Sequence, residues 1–270
     1  MTTILALVDF SDASTNSVSF AAELSKRSSA RLIMVNILQN GEGEEETKNK
    51  LKSIESELKK SFNSDLKCES FLAHGNLITA LKKIIAVQQP DLIVMGTKGA
   101  SGLKKLFLGS NTMNVIAKTN VPVFVIPEVA RFENFLKKGK NRIVLATDLD
   151  SLENENALDI LKEIALVIIE PKVRVLSVRP GKTRLPDLKR AERNFLLSIF
   201  NPEIKSDRVT IFGSNVIGGI NFYLNQKKAD TGLIAMIARD SGQFNQRHYT
   251  REMASLTHLP LLVLHDTKIS

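Results

Sequence analysis

The chain has 270 residues with a formal net charge of +8, and 43% of them are apolar. That length suits two ordinary domains, and there is no apolar run of about 18 residues, which argues against a membrane-spanning helix. Cys68 is the single cysteine, so an internal disulfide is excluded and a cytoplasmic location is expected.

The chain enters an apolar run at Ile4, without the basic and long apolar regions of a secretory signal. Basic residues are spread through mixed-charge segments such as Lys48 to Lys60, and tryptophan is absent. A nucleic-acid binder concentrates its charge in a stripe, so nucleic acid is not expected as a partner. The excess charge implies solubility and attraction for small anions.

Ile4 to Val8 reads as a strand that ends in Asp9-Phe10-Ser11-Asp12, where Asp and Ser supply helix caps. A helix follows with Val18, Ala21, Ala22 and Leu24 on one face. Arg31 to Leu38 is a second strand, and the Gly- and Glu-rich segment Gln39 to Glu46 reads as a solvated loop. Leu51, Ile54, Leu58 and Phe62 recur at helical spacing. Lys67 to Ala73 is a third strand. His74-Gly75-Asn76 turns into a helix carrying Ile78, Leu81, Ile84 and Ile85. Leu92 to Met95 is a fourth strand. After it come Gly96-Thr97-Lys98-Gly99-Ala100-Ser101-Gly102 and Gly109-Ser110-Asn111-Thr112, a helix to Asn120, and a last strand, Val123 to Ile126.

Strictly alternating strands and helices predict an α/β fold, a parallel sheet with helices on both faces. Ligands of such sheets lie beyond the carboxyl ends of the strands, where strand order reverses. Asp9 and Gly96 both stand at such ends. Glycines in the loop after the fourth strand admit an anion close to the backbone, and the following helix N-terminus favours it.

The pattern then restarts. Arg131 to Asn141 reads as a polar, basic linker, and Ile143 to Asp148 resembles Ile4 to Asp9. Lys172 to Val178, Val209 to Gly213, Asp230 to Ile237 and Leu261 to Leu264 follow as further strands. Leu188, Ala191, Phe195 and Leu196 form an amphipathic set. Asp148 lies 139 residues after Asp9, while Gly213 follows Gly75, and Pro260 follows Pro122, by 138. Near-constant offsets at three landmarks imply duplication of a whole domain. The expected domains are residues 1–129 and 140–270.

Gly96-x2-Gly99-x9-Gly109-Ser110, with Leu7-Val8-Asp9-Phe10-Ser11 and Val121-Pro122-Val123, resembles the ATP-binding universal stress protein family. The resemblance covers both halves, so the chain is similar to a tandem member. It implies two doubly wound, five-stranded sheets of the adenine nucleotide alpha hydrolase-like class. It also implies an adenine nucleotide, ATP foremost, in the first half, with Mg2+ bridging the phosphates. Leu7, Val8 and Asp9 would then meet the adenine edge and Val35 the base pocket, with Met95 and Gly96 near the ribose. Gly99, Gly109, Ser110, Asn111 and Thr112 would hold phosphates, and Lys98 would add a flexible charge or lie solvated. The resemblance further implies a regulatory binding module, and either an intramolecular pseudo-dimer of the halves or a homodimer.

Plainer readings stand beside these. Asp9 could serve only to cap the first helix, and the glycines only a tight turn. Cys68 reads as a core residue and His74 as structural, while His248, His258 and His265 lack metal-ligand spacing. Gly181-Lys182-Thr183 is no Walker loop, because Leu176 stands where its first glycine is required. No nucleophile–base pair emerges from spacing. A scaffold without nucleotide, and a slow nucleotide α-hydrolase using Lys98, Lys104 or Lys105, are the rival readings. In the second half Ile237 replaces Gly96, and Arg247-His248 falls opposite Gly109-Ser110. Asp148 persists but the cradle is lost, so this half is not expected to bind ATP in the family manner.

Overall fold

A computed structural model describes residues 1–39, 43–97, 110–137, 139, 141–226, 230–239, 253 and 258–266. The chain divides into two compact units, Met1–Phe132 and Glu133–Ser270.

The first unit runs β1 (Thr3–Leu7), α1 (Asp12–Ser28), β2 (Arg31–Leu38), α2 (Glu44–Ser61), β3 (Cys68–His74), α3 (Leu77–Gln88), β4 (Leu92–Thr97), α4 (Ser110–Lys118) and β5 (Val123–Pro127). Its strands lie in the order β3-β2-β1-β4-β5, all parallel. Helices cover both faces of a parallel sheet, so its central strands need apolar side chains on each face. Ile4, Leu5, Leu32, Ile33, Leu92 and Ile93 are accordingly fully buried. On α1 the buried Phe20 meets Phe124 and Phe132 edge-on, with ring centroids 6.5 and 5.4 Å away.

The second unit holds β6 (Arg142–Ala146), a 3-10 turn (Glu155–Leu158), α5 (Asp159–Val167), β7 (Lys172–Arg179), α6 (Asp187–Phe200), β8 (Lys205–Phe212), α7 (Val216–Gln226), β9 (Thr231–Arg239) and β10 (Leu261–Asp266). Its order is β8-β7-β6-β9-β10, again parallel.

The repeat extends to backbone detail. Phe10 and Leu149, each following the Asp after the first strand of its unit, share a left-handed φ of 62°. Ser29 and Glu170, each two residues before the second strand, have φ values of 58° and 50°. Bulky side chains rarely adopt this region, so matched exceptions mark matched turns. The N–H of Val8 donates to Val35 O at 2.8 Å, and that of Thr147 to Leu176 O at 3.0 Å. Gly75 and Gly213 donate equivalently to Leu38 O and Arg179 O, each at 2.8 Å.

Three segments differ from expectation. Helix α2 starts at Glu44, inside the stretch read as loop. Glu44, Glu45 and Glu46 fill its first turn, where the helix dipole favours acids. Lys48 and Lys50 pair with Glu44 and Glu46 one turn back, each at 2.6 Å. On α6 the buried stripe is Glu192, Leu196 and Phe200, while Leu188 is 80% exposed. Glu192 broke the apolar signal there. The segment read as linker is partly packed: Phe132 closes onto Phe20 in the first unit, and Phe135 O accepts from Ile169 N–H in the second.

Candidate functional site

In the first unit strand order reverses between β1 and β4. A cleft of about 110 Å3 opens at their carboxyl ends, lined by Leu7, Val8, Asp9, Ser14, Val35, Asn36, Ile37, Gln39, Leu77, Met95, Gly96 and Asn111. Leu7, Val8, Asp9, Val35, Met95, Gly96 and Asn111 were expected there from sequence, and the fold brings them together. Ser110 begins α4 and is exposed, whereas Thr112 is buried and is not among the lining residues. Lys98, Gly99 and Gly109 lie outside the described residues.

Asp9 holds the turn from β1 into α1. Its Oδ1 accepts from Ser11 N–H at 3.0 Å and Ser11 Oγ–H at 2.6 Å. Ser11 is the N-cap of α1, its Oγ accepting from Ser14 N–H at 3.2 Å. The Asp9 N–H donates to Ser14 Oγ at 3.1 Å. Asp9 therefore supports the cap while lining the cleft, and one of its oxygens carries the turn. Asn36 was missed from sequence, although a lone amide inside the apolar run from Leu32 to Leu38 is a readable signal. Its Nδ2 donates to Val8 O at 2.7 Å, and its Oδ1 is buried without a hydrogen-bond partner among the described residues. An unsatisfied buried acceptor costs about 1–3 kcal/mol, so it is a natural partner for a ligand N–H.

Gly96 has a packing reason as well as a position in the cleft. A Cβ built there would stand 2.2 Å from Ala13 O and 2.4 Å from Ala13 C. Those are backbone atoms of α1, so the helix start rests directly on this glycine.

The second unit has a cleft in the same topological place, at the reversal between β6 and β9. It measures about 300 Å3 and is lined by Ala146, Thr147, Asp148, Asp150, Leu176, Val178, Val216, Ile220, Met236 and Ile237. Arg239 binds Asp148 and Asp150, two of the polar residues that line it. NH1 donates to Asp148 Oδ1 at 2.6 Å, Nε to Asp266 Oδ2 at 2.9 Å and NH2 to Asp150 O at 2.6 Å. Asp266 Oδ1 accepts from the N–H groups of Glu153 and Asn154, each at 2.8 Å. Lys189 adds a bond to Asp148 O at 2.9 Å and a pair with Asp150 at 2.8 Å. Burial pushes the Asp148 carboxyl up, but the adjacent guanidinium of Arg239 prevails and holds it below the usual carboxylate range. Burial raises Glu192. The expected counterpart of the first-unit glycines, Arg247-His248, lies outside the described residues.

A five-stranded doubly wound sheet with its cleft at the central reversal, built twice, defines the adenine nucleotide alpha hydrolase-like class. Residues 1–127, just under half of the chain, match the family model described as the Universal stress protein family.

A universal stress protein of Methanocaldococcus jannaschii is 38% identical over 82 residues, covering 30% of this chain and 49% of that protein. One of Thermus aquaticus is 34% identical over 58 residues, 22% of this chain and 42% of the relative. The chain thus spans about half the length of the curated relatives it matches. A solved universal stress protein from Archaeoglobus fulgidus DSM 4304 superimposes along the whole chain, with a TM-score of 0.73 and 18% identity over 98% of each. That likeness carries the fold of both units. No helix among the described residues is long and apolar enough to cross a membrane.

Proposed function

We propose that the first unit binds ATP, or another adenine nucleotide, and acts as a regulatory binding module rather than a catalyst. The observation that carries this reading is the cleft at the β1/β4 reversal, where Asp9, Val35, Met95, Gly96 and Asn111 converge. The match of residues 1–127 to the Universal stress protein family model supports the choice of nucleotide. The first N–H groups of α4 have no intrahelical carbonyl to bond, and Asn111 brings that turn to the cleft, which suits an anionic group. The buried Oδ1 of Asn36 suits the amino group of adenine. Lys98, Gly99, Gly109 and Ser110 complete the phosphate side of this reading.

Mg2+ enters as the counter-ion of the phosphates. Among the described residues no three His, Cys, Asp or Glu are placed to hold a metal ion, so its ligands would come mainly from the nucleotide and water.

Calorimetric titration of the full chain with ATP tests the reading. One nucleotide per chain is expected, with binding lost in Asp9→Ala and Gly109→Val while circular dichroism is unchanged. Full affinity in both variants would overturn it.

A further inference from the structure

We infer that the second unit carries a separate ligand site, for an uncharged, mostly apolar, planar small molecule bearing a hydrogen-bond donor and no phosphate. The site is the cleft between β6 and β9. Protein interiors rarely leave voids larger than a water molecule, and clefts of about 300–1,000 Å3 commonly hold drug-sized ligands. This cleft, at about 300 Å3, reaches that size with a wall formed chiefly by Leu176, Val178, Val216, Ile220, Met236 and Ile237. A dry apolar cavity of roughly 150 Å3 accepts benzene, so twice that space accommodates a bicyclic ring.

Charge decides what the ligand is not. The Arg239 guanidinium, which could otherwise receive a phosphate, is already engaged by Asp148, Asp266 and the Asp150 carbonyl. The Asp150 carboxylate faces Lys189, and Glu192 is buried on α6 behind the same loop. The described residues that line the cleft thus include two carboxylates, Asp148 and Asp150, and no Lys or Arg, so a polyphosphate would meet repulsion there. Ile237 also puts a branched side chain where the first unit has Gly96, adding apolar surface to the wall. The polar rim offers oxygen acceptors from Asp148, Asp150 and Thr147. An ionised carboxylate accepts several hydrogen bonds, so the rim favours a donor such as a ring N–H.

The inference is independent of nucleotide binding by the first unit. Indole is a suitable probe, being bicyclic, uncharged and equipped with one N–H donor. The full chain, methyl-labelled, would be titrated with indole and observed by NMR. Saturable shifts of the Val178, Val216 and Ile220 methyls are expected, unchanged by inorganic tripolyphosphate at equal concentration. Ile220→Trp fills the cleft and is expected to weaken indole at least ten-fold, whereas Asp9→Ala leaves indole affinity unchanged. Absence of saturable shifts in those methyls, displacement of indole by tripolyphosphate, or wild-type affinity in a folded Ile220→Trp variant would each overturn the proposal. The wild-type shifts need no variant to fold. Loss of ATP binding read on first-unit methyls would bear on the nucleotide reading alone.

Discussion

Arg239 donates to Asp148 at 2.6 Å, and so the second unit answers the acid that follows its first strand with a guanidinium from the end of β9. Asp148 is the counterpart of Asp9, and Arg239 that of Lys98, since Met236 and Ile237 stand 141 residues after Met95 and Gly96. Arg239 extends β9 beside β10, pairing in register with Asp266. Strand β9 thus runs on to Arg239 and plants a buried guanidinium there.

That network is expected to be costly to break. Arg239 and Asp266 have side chains 7% and 0% exposed. Removing one partner of a buried pair strands the other charge, at about 3–5 kcal/mol. Arg239→Met should therefore lower the unfolding free energy of the second unit by that order, and leave the first unit's transition in place. The pH sense follows from Asp148. Its folded pKa lies below the ordinary value, so the stability it contributes is present above that value and declines as pH falls through the folded one. Chemical denaturation of wild type and Arg239→Met at neutral and acid pH should show the difference between them shrink on the acid side.

Gly96→Ala is expected to destabilise the first unit by about 3 kcal/mol, the upper part of the usual range for overpacking. The added methyl would meet Ala13 backbone at 2.2 Å, so α1 must move rather than a side chain rotate. Amide exchange should quicken along the first turns of α1. Ile237 is tolerated in the second unit because no helix begins so early there: α1 starts three residues after Asp9, whereas α5 starts eleven after Asp148. Loss of ATP binding in a Gly96 variant would thus mix helix displacement with direct contact.

The fold was legible because its signals are local. Apolar runs such as Ile4 to Val8 and Leu92 to Met95 announce buried parallel strands, and Pro122 and Pro260 keep register between the halves. What escaped was set by partners distant in sequence. Nothing near Asp148 announces Arg239, 91 residues away. Glu192 and Glu55 are buried, and nothing in their local sequence announces it. In the candidate site, the acid, Val35 and Met95 were readable from the family resemblance. Asn36 and Ser14 were not, because their roles rest on the Val8 carbonyl and the Asp9 N–H.

Glu55 makes a second pH-sensitive element, in the first unit. Burial would push its carboxyl up, yet hydrogen bonds from Lys59, Ser70 and Lys52 at 2.7, 2.7 and 2.9 Å outweigh that and hold it at about 2. The contribution is present above the usual carboxylate value of about 4.3 and is lost as pH falls towards about 2. Both lysines are partly exposed, which screens their share. Glu55→Gln should therefore cost about 2 kcal/mol at neutral pH. Melting temperatures of wild type and variant should converge between pH 4 and pH 2, at a rate independent of nucleotide.

Asn36 offers the sharpest test of base recognition. Its amide spends Nδ2 on the Val8 carbonyl and leaves Oδ1 buried beside Val35 in the cleft. The orientation follows from that bond, because the flipped amide would set two carbonyl oxygens face to face. An adenine amino group can donate to this oxygen, whereas guanine would present its own carbonyl there. A neutral hydrogen bond is worth about 0.5–1.5 kcal/mol. Asn36→Leu is therefore expected to weaken ATP by about three- to ten-fold and to erase the preference for ATP over GTP. Parallel titrations with both nucleotides separate recognition from damage, since general loosening of the cleft would weaken both alike. Wild-type discrimination retained in the variant would leave the selection of adenine to the backbone at Val8 and Asp9.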